Sequence, residues 1–484
     1  MFFRVKDKFM PTLLAELLKQ PQKFDCLKGP IILQLESLKF SPFHIVSLLF
    51  FILAIIHTLS ANQVHAFARS VEIHQAPRRL GSRWQRSLLV QMLYFLSEVE
   101  IIFAFWAIPL FIAMTLFYNW RIAAEYINTR DYTEAIFVAV VLSLAATKPI
   151  LNAAGKTIKW CARWLGGSLS AWWMTLLTIG PLLGSLITEA GAMTLCALLL
   201  SQKFYEFKPS TKLAYATIAL LFVNVSVGGI LTDFASPAVL VLAHCWHWTS
   251  ADMFLTFGWK AALGIIISNL LYWFWFRKEF SELNKKHRRL ADSQFLHSIK
   301  EKEEKIPFWI TLIHMLFIAW IVIISHYTAI FVASFFFFIG FHQATRAHQY
   351  PIRLVRPMLV GLFLAGLVIH GGLQGWWVVN LLHGKSPIFV MGMAILLTGF
   401  NDNTAISYLS SLVPGWGDAF KYAVFTGVIA GGGLTVIANA PNPAGYTILQ
   451  RHFNGGIKPL KLFLMASIPT FIMYLIFFFF SPLI

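Results

Sequence analysis

Two apolar stretches of this chain are interrupted, far from any aqueous loop, by acidic and amide residues. In the run from Pro387 to Val413 the interruption is Gly399, Asn401, Asp402, Asn403 and Thr404; in the run from Ser168 to Ser201 it is Gly180, Pro181, Gly184 and the pair Thr188 and Glu189. A carboxylate at lipid depth costs several kcal/mol unless protein, water or a cation compensates it, so by default it marks a functional site. Each half of either stretch falls short of the roughly 20 apolar residues that a crossing helix needs. Both stretches therefore read as re-entrant hairpins with polar tips.

Composition agrees with a membrane setting. The chain of 484 residues is 57% hydrophobic and 13% charged, well below the quarter or so of charged residues in soluble domains. The formal net charge of +17 is what an excess of Lys and Arg in cytoplasmic loops produces, and gives no reason to expect nucleic acid as a partner. Cys26, Cys161, Cys196 and Cys245 are scattered, with no CxxC pair, so neither a zinc site nor a disulfide framework is expected, and no cofactor. Residues 1–41 mix charges with short apolar runs and read as an amphipathic lead-in without a signal-peptide pattern.

Spans are expected near 42–59, 88–117 and 132–151, then the first hairpin at 168–201, a span at 213–243 broken by GGILTDFASP, and one at 253–276. After a charged, helix-compatible linker at 277–306, the order returns. Spans near 307–325, 328–340 and 358–379 lead to the second hairpin at 387–413, a span at 420–449 broken by AGGGLTVIANAPNP, and one at 462–480. Gly228, Gly229, Leu231 and Thr232 align with Gly431, Gly432, Leu434 and Thr435, and a one-residue gap then sets Ser236-Pro237 on Ala440-Pro441. The fold class is an all-α polytopic membrane protein of two repeats, 42–276 and 307–484, each of about five transmembrane helices plus one re-entrant hairpin. If each hairpin leaves on the side it came from, the basic loops at 61–87, 152–167, 202–212, 277–305, 344–356 and 451–461 fall on one side, taken as cytoplasmic. The two repeats are then inverted, the hairpins meet near the midplane, and the N-terminal segment lies on the outer side.

Inverted repeats with broken helices are how many secondary transporters build a midplane site, since half-helix ends and unwound carbonyls coordinate small ions. The paired hairpins and GG-x-LT breaks resemble the ion transporter superfamily of sodium/proton antiporters, arsenite pumps and dicarboxylate carriers. The segments FLSEVEIIFAFWA (Phe95 to Ala107), AIIHTLSANQVHAF and LVIHGGLQGWW (Leu367 to Trp377) further resemble a bacterial family of sodium/proton antiporters. That resemblance implies a multi-pass protein of the bacterial inner membrane, in contact with lipid, that exchanges Na⁺ or Li⁺ for H⁺, with a homodimer as the analogous assembly. Where dicarboxylate carriers carry Ser-Asn-Thr tips, this chain has acidic ones, which favours a cation.

A hard cation prefers oxygen ligands. Asp402, Asn401, Asn403 and Thr404 supply them from the second tip, and Thr435, Asn439 and Asn442 from the facing break; Thr188, Glu189, Thr232, Asp233 and Ser236 do so in the first half. Burial disfavours a bare carboxylate, so such a group holds either a proton or a cation, and competition for it is the simplest antiport mechanism. Asp402 ranks first as ion ligand, then Glu189, then Asp233; a helix N-cap is the plain structural role for Asp402 and Glu189, and a turn before Ser236-Pro237 that for Asp233. Glu98, Glu100, Lys148 and His370 are candidates for proton-linked or structural roles, and His57, His65 and His74 for pH sensing. Two other readings compete: an anion carrier for arsenite or a carboxylate, for which only Lys148 supplies charge, and a lipid-modifying membrane enzyme using His65, Glu98 and Glu100. No HExxH, GxSxG or Walker-type motif supports the enzyme.

Overall fold

The computed structural model describes residues 42–75, 87–294, 306–352, 354–382 and 384–481. The lead-in at 1–41, much of the basic loop before residue 87 and the linker at 295–305 lie outside the described residues. Every regular element among those described is helical. Six helices are long and apolar enough to cross a membrane, or up to eight if each of two bent pairs is one span, by length and composition.

The chain opens with α1 (Pro42–Gln75), α2 (Leu88–Leu96), α3 (Val99–Phe117), the short α4 (Trp120–Asn128), α5 (Thr133–Ala145) and α6 (Lys148–Trp164). Two expected spans are broken. The run at 88–117 divides where the Ser97 hydroxyl bonds back to the Tyr94 carbonyl at 2.7 Å, competing with the helical ladder, and Glu98 takes the N-cap position of α3. The run at 132–151 bends by 64° between α5 and α6, because Pro149 has no N–H to offer the Ala145 carbonyl and so ends one helix and starts another.

The first polar-tipped pair is α7 (Leu169–Ile187) and α8 (Glu189–Lys203). Helix α7 is one of the six long enough to cross, because it runs unbroken through Pro181, so the expectation that each half is too short does not hold for it. The broken span is α9 (Thr211–Gly228) and α10 (Pro237–Trp246); α11 (Ser250–Trp275) and the amphipathic α12 (Arg277–Gln294) follow. After α13 (Phe308–Ile323) and α14 (Thr328–Ala344), the expected span at 358–379 is α15 (Val355–Gly371) and α16 (Gly375–Leu382), bent by 80°. The second hairpin is α17 (Pro387–Phe400) and α18 (Asn403–Ser411), the second broken span α19 (Asp418–Gly431) and α20 (Asn442–Leu449), and α21 (Pro459–Phe479) closes the chain.

Helix α9 is the axis of the core: all of its apolar residues from Leu213 to Val227 are buried, as a helix apolar all round must be. It packs against α7 and α21, while α17 packs on α19. The hairpins also reach across. Helix α8 lies on α20, and α10 lies on α18, so each hairpin's second helix rests on the other repeat's broken span.

Three prolines interrupt long helices, and two of the carbonyls they release are recaptured. Pro181 frees the Leu177 carbonyl, which accepts from Asn224 and Asn269 at 2.9 Å each; Pro469 frees that of Met465, which accepts from the Tyr272 hydroxyl at 2.9 Å. In an apolar interior each uncompensated carbonyl would cost several kcal/mol.

The broken spans run antiparallel. The start of α9 meets the loop before α21, with Lys458 N–H donating to the Tyr215 hydroxyl at 2.7 Å; the start of α19 meets α11, with Lys260 Nζ donating to the Tyr422 hydroxyl at 3.1 Å. Several of the basic loops gather on one face, where Asn284 caps Ser170, Glu279 accepts from Ser210, and Ser201 bonds His452. The weakly charged connections at 245–252 and 414–418 lie elsewhere, where Cys245 donates to the Ser411 carbonyl and Trp248 lies edge-on to Phe425.

Candidate functional site

The two hairpin tips dock on the two breaks in the same way. At the first tip the Glu189 N–H donates to the Ala235 carbonyl at 3.2 Å; at the second the Asn403 N–H donates to the Ala438 carbonyl at 2.9 Å. The break answers with a threonine: Thr232 Oγ1 donates to the Ser185 carbonyl at 2.7 Å, and Thr435 Oγ1 to the Gly399 carbonyl at 2.9 Å. These matched bonds set Ala235 on Ala438 and hence Ser236 on Asn439. The one-residue gap falls after Asn439, not before it, which corrects the register expected from sequence.

The same matching pairs Thr188 with Asp402 and Glu189 with Asn403. Thr188 and Asp402 are both N-caps: Thr188 Oγ1 accepts from Gly191 N–H at 3.4 Å and Asp402 Oδ1 from Thr404 N–H at 2.8 Å. Asn401 in turn accepts from the Asp402 N–H at 3.0 Å. The two acidic residues of the tips are therefore not equivalent. The Asp402 carboxylate is engaged with its own helix, whereas Glu189 sits one position further on and projects to the break of the other repeat.

There Asn439 Nδ2 donates to Glu189 Oε2 at 2.9 Å, and the Ser236 hydroxyl lies beside the same carboxylate. Glu189 is 1% exposed and its Oε1 has no hydrogen-bond partner. Ser236 Oγ, Asn439 Oδ1 and Asn442 Oδ1 are buried and unpartnered as well; Asn442 Nδ2 is spent on the Gly432 and Thr435 carbonyls, at 2.8 Å each. Buried polar atoms are nearly always paired, so the oxygens left over on Ser236 and Asn439 beside this carboxylate, with that of Asn442 on the helix after the break, are a donor set suited to a hard cation.

Space for the tips is made by glycine. A Cβ on Gly229 would stand 2.6 Å from Glu189 Oε1, and one on Gly432 would stand 3.2 Å from Asn403 Nδ2. Asp402 lies within electrostatic reach of Glu189, and Glu100 within reach of Asp402. Four helix N-termini, those of α8, α10, α18 and α20, converge here, and such ends favour negative charge.

The remaining candidates are placed differently. Asp233 is half-buried on the break, accepting from the Ser250 hydroxyl. Glu98 is exposed and stands at the N-cap position of α3 without a side-chain bond to the helix; Glu100 is half-buried in the field of Arg356. Lys148 opens α6 with its ammonium 4.3 Å from the Tyr350 ring. His370 is buried against α3, its Nε2 3.1 Å from the Phe103 carbonyl. His57 and His65 belong to α1 and face α2 and α3, His57 bonding the Leu96 carbonyl at 2.9 Å and His65 lying edge-on to Tyr94; His74 bonds back to Ser70.

Sequence reasoning passed over Lys260, which is 5% exposed and follows a π-helical turn at Phe254–Gly258. It also passed over Asn224, Asn269 and Ser226, whose Oγ donates to the Ile429 carbonyl at 2.9 Å where the broken spans cross. The available signal was a single polar residue inside an otherwise apolar run.

A family model described as "Putative Na+/H+ antiporter" matches residues 42–480. No curated protein matches the chain. Among solved structures, the Alcanivorax borkumensis YdaH transporter, a protein of unusual topology, is similar at 13% identity over 87% of this chain and 96% of that one, with a TM-score of 0.39.

Proposed function

This chain belongs to the family of putative Na+/H+ antiporters, and from that membership we propose that it exchanges Na⁺ or Li⁺ for H⁺ by letting cation and proton compete for Glu189. One observation carries the reading. Glu189 is a buried carboxylate from one repeat, bound by an amide of the other, with one oxygen unclaimed. With the cation bound, Glu189 Oε1 and the leftover oxygens of Ser236, Asn439 and Asn442 offer ligands; with the proton bound, the carboxyl is neutral and the cation leaves. Asp402, fixed as a cap, adds negative charge to the site without itself exchanging. We place the protein in the bacterial inner membrane as a multi-pass exchanger, and take a homodimer as its assembly.

The test is cation-induced recovery of a pH-gradient dye in everted vesicles. Addition of Na⁺ or Li⁺ recovers the signal with the intact protein, and Glu189→Gln reduces the response to the background of empty vesicles. Asp402→Asn keeps measurable exchange at weaker apparent cation affinity. Absence of any response to Na⁺, Li⁺ or K⁺ in the intact protein refutes antiport. Full activity in Glu189→Gln refutes the assignment of the exchanging group.

A further inference from the structure

Away from the tips, a second group of titratable side chains joins three separate elements. Glu134, at the start of α5, meets His244, near the end of α10, with Oε1 3.5 Å from Nδ1. The His244 ring stacks on His326, in the connection between α13 and α14, with centroids 5.0 Å apart and planes 25° from parallel. Nearby, the hydroxyls of Thr133 and Thr328 are 2.9 Å apart and hold α5 to α14.

The group opens to water at His326. His326 is exposed, whereas the side chains of His244 and Glu134 are 12% and 25% exposed. The other titratable groups whose fields reach His326 are Asp233 and His247. Partial burial and the His244 ring hold His326 below the ordinary histidine range, against the opposing pull of Asp233 and Glu134. Asp233 accepts from the Ser250 hydroxyl and follows Thr232, whose hydroxyl fastens the first tip to the break.

We propose that His326, His244 and Glu134 form a proton-capture site that supplies Asp233, and through the break the Glu189 tip, from the face opposite the basic loops. A proton from water adds to a His326 ring nitrogen, and the stacked His244, whose imidazolium Glu134 stabilises, exchanges it through water, since the N–H bonds of stacked rings do not point at each other. The Asp233 carboxylate, whose field reaches His326, accepts it, and each donor returns to its starting form. Imidazoles suit this task because they take up and release protons near neutral pH. The arrangement rests on the antiport reading given above, and adds the route by which one of the two exchanged ions arrives.

The experiment measures Na⁺-driven proton flux in right-side-out and everted vesicles, with pH varied on one face at a time. Removal of the imidazoles leaves capture to carboxylates, which hold protons only at lower pH. The exposed His326→Gln, and His244→Gln with His326→Gln, are therefore expected to lower the half-maximal pH by about one unit. The shift appears only when pH is varied on the face carrying these residues, with half-saturation by Na⁺ unchanged. Glu134→Gln is expected to shift the same face in the same direction by less. If the intact protein moves no protons in response to Na⁺ or Li⁺, the antiport reading fails and this site falls with it. If the intact protein exchanges and the His326 and double variants keep its profile, or shift equally from both faces, the capture site alone is overturned.

Discussion

Thr188 adopts φ 66° and ψ 155°, a region that residues with a Cβ seldom enter and that costs of order 1–3 kcal/mol. The strain is held because the Glu189 N–H and the Thr188 hydroxyl are both bonded at the tip, and the result is that Glu189 points across to the other repeat. The glycines beneath the tips give a comparison at the same scale. A Cβ on Gly229 meets the movable end of Glu189, whereas one on Gly433 meets the backbone of Val223. Gly433→Ala should therefore lose roughly 1–3 kcal/mol of stability to overpacking. Gly229→Ala should change the thermal midpoint in detergent far less, yet depress exchange strongly by displacing the carboxylate. The reverse pattern would show that Glu189 is only a packing group. The sequence makes Asp402 and Glu189 conspicuous, since each is a carboxylate inside an apolar run. It does not rank them, because which of them caps a helix depends on a one-residue offset between the tips that only the docked backbone reveals.

At the scale of elements, the proline rule explains several side chains at once. Proline removes a donor to the carbonyl four residues earlier, and Asn224 with Asn269 at Pro181, and Tyr272 at Pro469, fill the vacated bonds. Asn269 also donates to Thr178 and accepts from Asn224, so it ties α7, α9 and α11 together. Asn269→Ala should cost about 1–3 kcal/mol through the groups it leaves unpaired, measured as a lower denaturation midpoint; a change within error would place the tie elsewhere. Hairpins and broken spans were legible because glycine, proline and polar residues cluster in them. The breaks at Ser97 and Ala146 were not, for there the apolar run continues and only local hydrogen bonding and the missing Pro149 donor end the helix. Lys260 was hidden for a related reason. A lone lysine in a span reads as snorkelling, and its burial under Tyr422 comes from a helix of the other repeat.

The whole molecule is organised by the antiparallel crossing of its two broken spans. That crossing puts the connection at 414–418 and helix α12 on opposite faces. Cysteines placed singly at Gly417 and Lys285 in a chain without native cysteines should therefore react with a membrane-impermeant thiol reagent from opposite sides, Lys285→Cys from the cytoplasm. Labelling of both from the same side would overturn the orientation. The repeat itself was readable from the recurring order of spans and from GG-x-LT, but the exchange of partners between repeats was not, since no local pattern says that α8 rests on α20 and α10 on α18.

That exchange bears on ancestry and on assembly. The carboxylate of Glu189 and the amide of Asn439 lie on different repeats, so on the exchange proposed above neither half of the chain would carry a complete site. A single-repeat forebear would have needed an upside-down twin in the same membrane to bind anything between its tips. The present chain should keep a trace of that dependence. Divided between residues 294 and 306, the two fragments expressed alone should each be inactive, and co-expressed they should pair and restore exchange in vesicles; failure of co-expressed, membrane-inserted fragments to associate would mean that the covalent connection, and not the interlocked helices, holds the repeats together.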